Sequence, residues 1–122
     1  FSSYKSNIAI LGLSFKENCP DLRNTKVVDI INRLETYNCK ISINDDCVDA
    51  YEAKNHYGLD MQTIDSIKNQ DAVIIAVSHK EYSSLPKKVW KTLLVKGGIV
   101  IDVKSFFKKE FFSKMGFNYW SL

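Results

Sequence analysis

The sequence predicts an α/β fold: a doubly wound, mostly parallel, Rossmann-like sheet of about five or six strands with helices on both faces. Short apolar runs alternate with amphipathic helical patterns along the 122 residues. The strongest runs, NIAIL, AVIIAV and GIVIDV, are typical of parallel strands buried on both faces. Right-handed crossovers between such strands place helices on both sides of the sheet. We expect a single domain over residues 1–122.

In the first half of the chain, two strands and two helices are predicted. The run Asn7–Leu11 is the first strand, and a helix follows over Lys26–Tyr37, capped by Asn24 or Thr25. The alternating stretch KISIN predicts a half-buried strand. A second helix is expected over Asp46–Tyr57, ending at a glycine.

The second half continues the alternation. A short strand over 59–61 and one or two turns of helix within 63–69 precede the most apolar strand, Ala72–Val77. Pro86 opens a helix that Gly97-Gly98 should end, and the strand GIVIDV follows. The last elements are a helix around 108–114 and an edge strand in FNYWS. Four phenylalanines at helical spacing are expected in the core: Phe106, Phe107, Phe111 and Phe112.

Composition argues against several classes of protein. The net charge is +3, from 17 basic and 14 acidic residues, and the basic residues are scattered, so no nucleic-acid footprint stands out. The apolar runs are too short for a membrane span, and no signal peptide is visible. Three cysteines without CxxC spacing favour reduced thiols and a cytoplasmic protein. The chain opens on FSSYKSN without a methionine, so we expect it to be part of a longer protein.

The link between the first strand and the first helix is unusually long. Strand-to-helix connections usually take about 2–6 residues, and longer ones tend to be functional or disordered. This link carries Lys16 and Arg23, and Lys104 follows the strand GIVIDV. Ligands of such sheets bind outside the carboxyl ends of the strands, so the two lysines could converge on one phosphate-bearing ligand. The alternatives are ordinary solvated lysines and, for Arg23, an ion pair with Asp21 or Glu17.

Other chemistry has weaker support. A lone Gly12 stands where a dinucleotide-binding loop would need G-x-G-x-x-G, and Asp45 or Asp46 suits a turn or helix cap better than a ribose contact. Cys19 lacks a paired base, and His79 after AVIIAV is expected to cap or hydrogen-bond locally. No cluster has metal-ligand spacing, and no catalytic residue is assigned.

Three stretches carry a family resemblance, and together with the helix KVVDII at 26–31 the resemblance spans essentially the whole chain in the right order. They are GLSFKENCPDLRN at 12–24, DAVIIAVSHKEY at 71–82 and IVIDVK at 99–104. The chain resembles the C-terminal, UDP-binding domain of the UDP-glucose/GDP-mannose dehydrogenase family. It is most similar to the branch that oxidises UDP-N-acetylhexosamines to uronic acids for bacterial surface polysaccharides.

The resemblance implies roles for four residues. Phe15, Lys16 and Lys104 match positions that contact the UDP-sugar substrate, and Arg23 matches an arginine that reaches the NAD cofactor held mainly by an N-terminal domain. It also implies that the catalytic cysteine lies upstream, so this chain alone should catalyse nothing, and that the full-length protein is a homodimer or higher oligomer. No nucleic-acid or membrane partner is implied.

One alternative from another class stays open at this stage. A receiver- or flavodoxin-like binding or regulatory module would have the same alternation of strands and helices. Receiver domains need an acidic pair at one strand end and an aspartate at the next. Asp45-Asp46 satisfies the first requirement, but Ser78-His79 follows AVIIAV where the aspartate would stand.

Overall fold

The computed structural model describes residues 4–23 and 25–122 and contains a five-stranded sheet. The strands are β1 (Ser6–Leu11), β2 (Cys39–Asn44), β3 (Gln70–Ile75), β4 (Leu94–Asp102) and β5 (Asn118–Ser121). The helices are α1 (Val27–Thr36), α2 (Ala50–Tyr57), α3 (Lys80–Ser83), α4 (Lys87–Leu93) and α5 (Lys109–Ser113). A 3₁₀ turn covers Ile64–Ser66.

The strands are all parallel and lie in the order β2-β1-β3-β4-β5, which confirms the predicted α/β class. This order is the flavodoxin-like variant of the doubly wound sheet. The chain reverses its direction of progress between β1 and β3, where crevices for ligands form in such sheets. Topology alone therefore fits both the nucleotide-sugar domain and the alternative module.

Each face of the sheet carries its own hydrophobic core. Along β1, Ile8 and Ile10 point to one face and Ala9 and Leu11 to the other, as the period of a strand requires. The first face packs against α1 and α2, and the second against α3, α4 and α5. The first helix contributes Val27 and Ile31 to its core, while α4 and α5 contribute Trp90, Leu93 and Phe112.

Most predicted elements exist, two local predictions are wrong, and one helix was not predicted. The helix α4 ends at Leu93, and Gly97-Gly98 lies inside β4. Gln70 pairs with Leu94 but Ala72 pairs with Ile99, so β4 bulges there, and the left-handed backbone of Gly97 (φ +73°) allows this shift. The predicted strand over 59–61 is a single bridge from Met61 to Ile43, and α3 was not expected. The helical turn expected within 63–69 is the 3₁₀ turn Ile64–Ser66.

The predicted helix caps and aromatic core are partly confirmed. The N-cap position of α1 is Lys26, which makes no side-chain cap bond, but the Thr25 hydroxyl accepts a hydrogen bond from the N–H of Val27 in the first turn. Asn24 lies outside the described residues. Asp49, and not Asp46, caps α2. Of the four phenylalanines, Phe112 is buried and two pack against it, but Phe106 is exposed and precedes α5.

Among the described residues, no helix combines the length and apolar character needed to cross a bilayer. The three cysteines are free thiols.

Candidate functional site

The link after β1 begins with a close approach of two backbones. Gly12 has φ +102°, and a Cβ on it would lie 2.6 Å from Val77 Cβ and 2.7 Å from Val77 N. Its N–H donates to the carbonyl of Asn44, so the link leaves the sheet between the ends of β2 and β3. A glycine is needed here for its positive φ and for its missing side chain.

Asp45 fixes the start of the link. One of its carboxylate oxygens, Oδ2, accepts hydrogen bonds from the backbone N–H groups of Leu13 (2.7 Å) and Ser14 (2.9 Å). The other, Oδ1, accepts from the N–H of Cys47 at 2.9 Å, which confirms the predicted turn role. The buried carboxylate therefore joins the end of β2 to the first residues of the link.

His79 fixes a second point of the link. Its Nδ1 accepts a hydrogen bond from the backbone N–H of Asn18 at 2.8 Å. An acceptor nitrogen carries no proton, so the ring is neutral with its hydrogen on Nε2. This Nε2 lies 2.9 Å from Asp45 Oδ2 and 3.1 Å from Ser14 Oγ. His79 stands at the N-cap of α3, which was one of the two sequence-based options, but its side chain makes no cap bond. The expectation of a local side-chain hydrogen bond is wrong, because the partners of the ring come from distant parts of the chain.

The environment keeps Asp45 ionised. Burial alone would raise its pKa, but hydrogen bonds from His79 and from the N–H groups of Leu13 and Ser14 outweigh burial and lower the pKa below its usual value. The network therefore consists of an anionic carboxylate and a neutral imidazole.

This cluster has the residue types of a hydrolytic triad but not its geometry. In a Ser-His-Asp triad the serine and the aspartate contact different ring nitrogens. Here Ser14 and Asp45 contact the same nitrogen of His79, and the Ser14 side chain is buried. Its hydroxyl donates a hydrogen bond to the carbonyl of Lys16 at 3.0 Å. The cluster therefore shapes the backbone instead of activating a nucleophile.

One group of described residues has donor atoms close enough to hold a metal ion: Asp45, Cys47 and His79. The Cys47 sulfur lies 3.6 Å from His79 Nδ1. That nitrogen already accepts the Asn18 N–H, and both Asp45 oxygens accept hydrogen bonds. Burial and nearby carboxylates raise the pKa of the Cys47 thiol, so it is protonated near neutral pH. This set therefore suits a hydrogen-bonded network better than a cation.

Above this network the link presents two of the predicted site residues to solvent. Phe15 is 52% exposed although it is large and apolar, and Lys16 is exposed beside it. The Phe15 N–H donates to the carbonyl of Asp21 at 2.7 Å, which closes the segment between them into a loop. The exposed pair therefore stands on a backbone that is bonded at several points.

Arg23 forms the ion pair that the sequence left open. Its Nε and Nη2 bond the two carboxylate oxygens of Asp21 at 3.0 and 3.1 Å, and the arginine side chain is 87% exposed. The hydrogen bonds from Arg23 lower the pKa of Asp21. Together with Glu52, His56 and Tyr57 of α2, this part of the link lines an open cleft of ≈ 490 Å³.

Lys104 lies in the turn that follows β4, and a second buried aspartate holds that turn. Asp102 Oδ2 accepts from the Phe107 N–H (2.8 Å) and from the Tyr119 hydroxyl (2.7 Å). Ser105, next to the lysine, has φ +54°, which is uncommon for a residue other than glycine or asparagine. The lysine is exposed.

The strand order relates these residues. The carboxyl ends of β1 and β4 share one edge of the sheet with only β3 between them, so Lys16 and Lys104 extend from the same edge. Neighbouring strands are about 4.8 Å apart, so the two strand axes are separated by about 10 Å. Arg23 is at the far end of the link, on the side of α2.

Sequence reasoning missed Ser14 and did not foresee that Asp45 and His79 form one buried hydrogen-bond network with it. Ser14, Asp45 and His79 follow β1, β2 and β3, which are neighbours in the sheet. The signal that could have found them is this shared position after three apolar strands.

The chain is a doubly wound α/β domain with exposed cationic side chains at the carboxyl ends of its strands, near the switch point between β1 and β3. The chain belongs to the UDP-glucose/GDP-mannose dehydrogenase family, since the model of that family's UDP binding domain matches residues 9–109. The receiver- or flavodoxin-like alternative has no support from the comparisons.

Relatives of this chain are longer proteins, and several of them are named as dehydrogenases. Protein CapL of Staphylococcus aureus is 43% identical over 105 residues, covering 86% of this chain and 24% of the relative. The UDP-N-acetyl-D-glucosamine 6-dehydrogenase of Salmonella typhi is 41% identical over 80 residues, covering 66% of this chain and 19% of the relative. The chain therefore spans a quarter or less of the length of these relatives.

A solved structure has the same fold. The NDP-N-acetyl-D-galactosaminuronic acid dehydrogenase from Methanosarcina mazei Go1 superposes with a TM-score of 0.83 over 97% of this chain and 24% of that protein. The two sequences are 22% identical.

Proposed function

We propose that this chain is the UDP-sugar-binding C-terminal domain of an NAD-dependent nucleotide-sugar 6-dehydrogenase. The full-length protein would oxidise a UDP-N-acetylhexosamine to the uronic acid for surface polysaccharide synthesis, in the cytoplasm and as a homodimer or higher oligomer. Family membership and the relatives named as UDP-N-acetyl-D-glucosamine 6-dehydrogenases support this proposal. The observation that carries it is the loop at the sheet's switch point, which presents Phe15 and Lys16 to solvent on a bonded backbone.

The two lysines would bind the pyrophosphate of the UDP-sugar. Each would contribute a charge-assisted hydrogen bond, and such bonds are worth about 1.5–3 kcal/mol. The exposed ring of Phe15 would pack against the nucleotide, which would explain why a large apolar side chain stays outside the core. The sugar ring would extend towards segments of the full-length protein outside this chain.

NAD accepts hydride when it is bound, and in this proposal it is held mainly by another domain. Arg23 could contribute one contact to NAD. Asp21 accepts from two of the five N–H donors of the guanidinium, and the other donors are open to solvent and free to bind it. The link after β1 lacks the glycines of a dinucleotide loop, so this chain does not fit as the main NAD site. It would supply binding groups and not the reacting cysteine.

Calorimetric titration with UDP tests the proposal. We expect wild-type protein to bind UDP and Lys16→Ala to bind it about tenfold or more weakly, since tenfold corresponds to about 1.4 kcal/mol. Lys40→Ala is the matched control. This lysine is also exposed, but it is the second residue of β2 and therefore lies at the amino ends of the strands, away from the candidate site at their carboxyl ends. Equal affinity of Lys16→Ala and Lys40→Ala for UDP would contradict the proposed role of Lys16.

A further inference from the structure

The segment Leu13–Asn18 carries both Phe15 and Lys16 but packs few of its own side chains into the core. Leu13 and Ser14 are buried, whereas Phe15, Lys16, Glu17 and Asn18 are exposed. Such a segment cannot be ordered by apolar packing beyond its first two residues. Its shape must come from hydrogen bonds to its backbone.

Three of those hydrogen bonds come from one buried pair, in addition to the bond from the Phe15 N–H to the Asp21 carbonyl and the bond from the Thr25 hydroxyl to the Leu13 carbonyl. Asp45 accepts the N–H groups at the start of the segment, those of Leu13 and Ser14, and His79 accepts the N–H at its end, that of Asn18. The pair is joined by the 2.9 Å contact between His79 Nε2 and Asp45 Oδ2. The two side chains belong to the ends of β2 and β3, which flank β1.

A third connection ends on the backbone of Lys16 itself. Ser14 uses its hydroxyl hydrogen on the Lys16 carbonyl, so its oxygen can accept a share of the His79 Nε2 hydrogen. The connection therefore runs from Asp45 through His79 and Ser14 to the residue that would meet the ligand. Asn18 has a left-handed backbone (φ +56°). Its side chain accepts a hydrogen bond from the backbone N–H of Lys80, the first residue of α3, so α3 also holds the end of the segment.

We propose that His79 is a positioning residue: with Asp45 and Ser14 it holds the segment Leu13–Asn18 in the one shape in which Lys16 reaches the diphosphate of the ligand. The inference rests on the proposed function and adds to it a residue that does not touch the ligand. A segment that is already ordered loses less conformational freedom when the ligand binds, so affinity depends on the pair.

Two substitutions separate the two roles of the imidazole. His79→Gln can still donate to Asp45 from its longer amide but loses the acceptor for the Asn18 N–H, whereas His79→Asn keeps an oxygen near the position of Nδ1. Tyr82→Phe is the control, because it deletes a buried hydroxyl that bonds Asn44 while leaving the segment's bonds intact. Ser14→Ala is a second test with a small change in volume, and it removes the bond to the Lys16 carbonyl.

The test combines UDP titration calorimetry with hydrogen exchange of the Asn18 amide, for variants whose folding is verified by circular dichroism. In His79→Gln we expect Asn18 to exchange at least about tenfold faster and the UDP dissociation constant to rise about tenfold. We expect smaller changes in His79→Asn, a weaker affinity in Ser14→Ala, and wild-type values in Tyr82→Phe. Wild-type UDP affinity in folded His79→Gln, or in folded Ser14→Ala if His79→Gln does not fold, would overturn the proposal.

The two proposals can fail separately. If wild-type protein binds no UDP, the proposed function fails, and the Asn18 exchange rate still decides whether His79 orders the segment. If Lys16→Ala weakens UDP binding but His79→Gln does not, the proposed function stands and the positioning role is wrong.

Discussion

Asp45 is a buried anion held by its neighbours. Its oxygens accept hydrogen bonds from three backbone N–H groups and from His79, and these bonds keep its pKa below the usual value in spite of burial. The carboxylate compensates N–H groups that would otherwise be buried without a partner. It therefore stabilises the fold and shapes the candidate site at once.

We expect Asp45→Asn to destabilise the protein by about 1–3 kcal/mol, because one amide group cannot accept all of these hydrogen bonds. The pKa of Asp45 is lower in the folded chain than in the unfolded chain. Its contribution is therefore present at neutral pH, above the unfolded pKa, and is lost as the pH falls through the folded pKa. Urea unfolding of both proteins at several pH values measures this.

The difference between the two proteins should be largest near neutral pH and shrink in acid below about pH 4. A difference that stayed constant down to pH 2 would show that the ionised carboxylate is not responsible.

Single residues were predicted from sequence only where chemistry and position agreed within a short stretch. The Arg23–Asp21 ion pair was foreseen as one option because the two residues are neighbours in sequence. His79 was misjudged because its partners, Ser14 and Asp45, are 65 and 34 residues away along the chain. Only the strand order brings them together.

At the scale of elements, the exit of the chain from β1 depends on Gly12. The neighbouring strand end at Val77 leaves no space for a Cβ there, and the backbone has a positive φ. The link after β1 begins at Gly12, so a change of backbone conformation at this residue would displace the loop that carries Lys16.

We expect Gly12→Ala to cost about 3 kcal/mol, from the steric clash and the strained φ together. Gly58→Ala is the matched control: Gly58 also has a positive φ (+68°), but nothing lies within 4 Å of an added Cβ, so about 1 kcal/mol is expected. Chemical unfolding of both variants gives the comparison. Equal losses would mean that the contact with Val77 does not constrain this position.

Elements with strong periodicity were predicted well, and ambiguous apolar runs were not. The helix Lys87–Leu93 continues directly into β4 at Leu94, and a short apolar run such as LLV fits either a helix or a strand. The glycines that follow were expected to end the helix, but they provide the bulge that restores pairing with β3. The pairing of β4 with β3 therefore determines where the helix ends and the strand begins, which the local sequence pattern left open.

At the scale of the whole molecule, strand order gives the two lysines a common edge. The sheet order β2-β1-β3-β4-β5 places the turn after β4 two strands from the link after β1. In each case a buried aspartate accepts backbone hydrogen bonds from the segment that carries the lysine: Asp45 accepts two N–H groups and Asp102 accepts one. The sequence predicted the sheet, and the site role of the lysines stays a prediction. The long-range hydrogen bonds of Asp45 and Asp102 could be recognised only from the folded chain.

The central claim is that both lysine-bearing segments bind one diphosphate. The most direct measurement follows the backbone amide resonances during a titration with UDP. We expect the amide resonances of 13–18 and 103–107 to shift along one saturation curve. The resonances around Lys40, at the amino ends of the strands, should not shift. Shifts confined to one segment, or centred on the opposite edge, would contradict the claim.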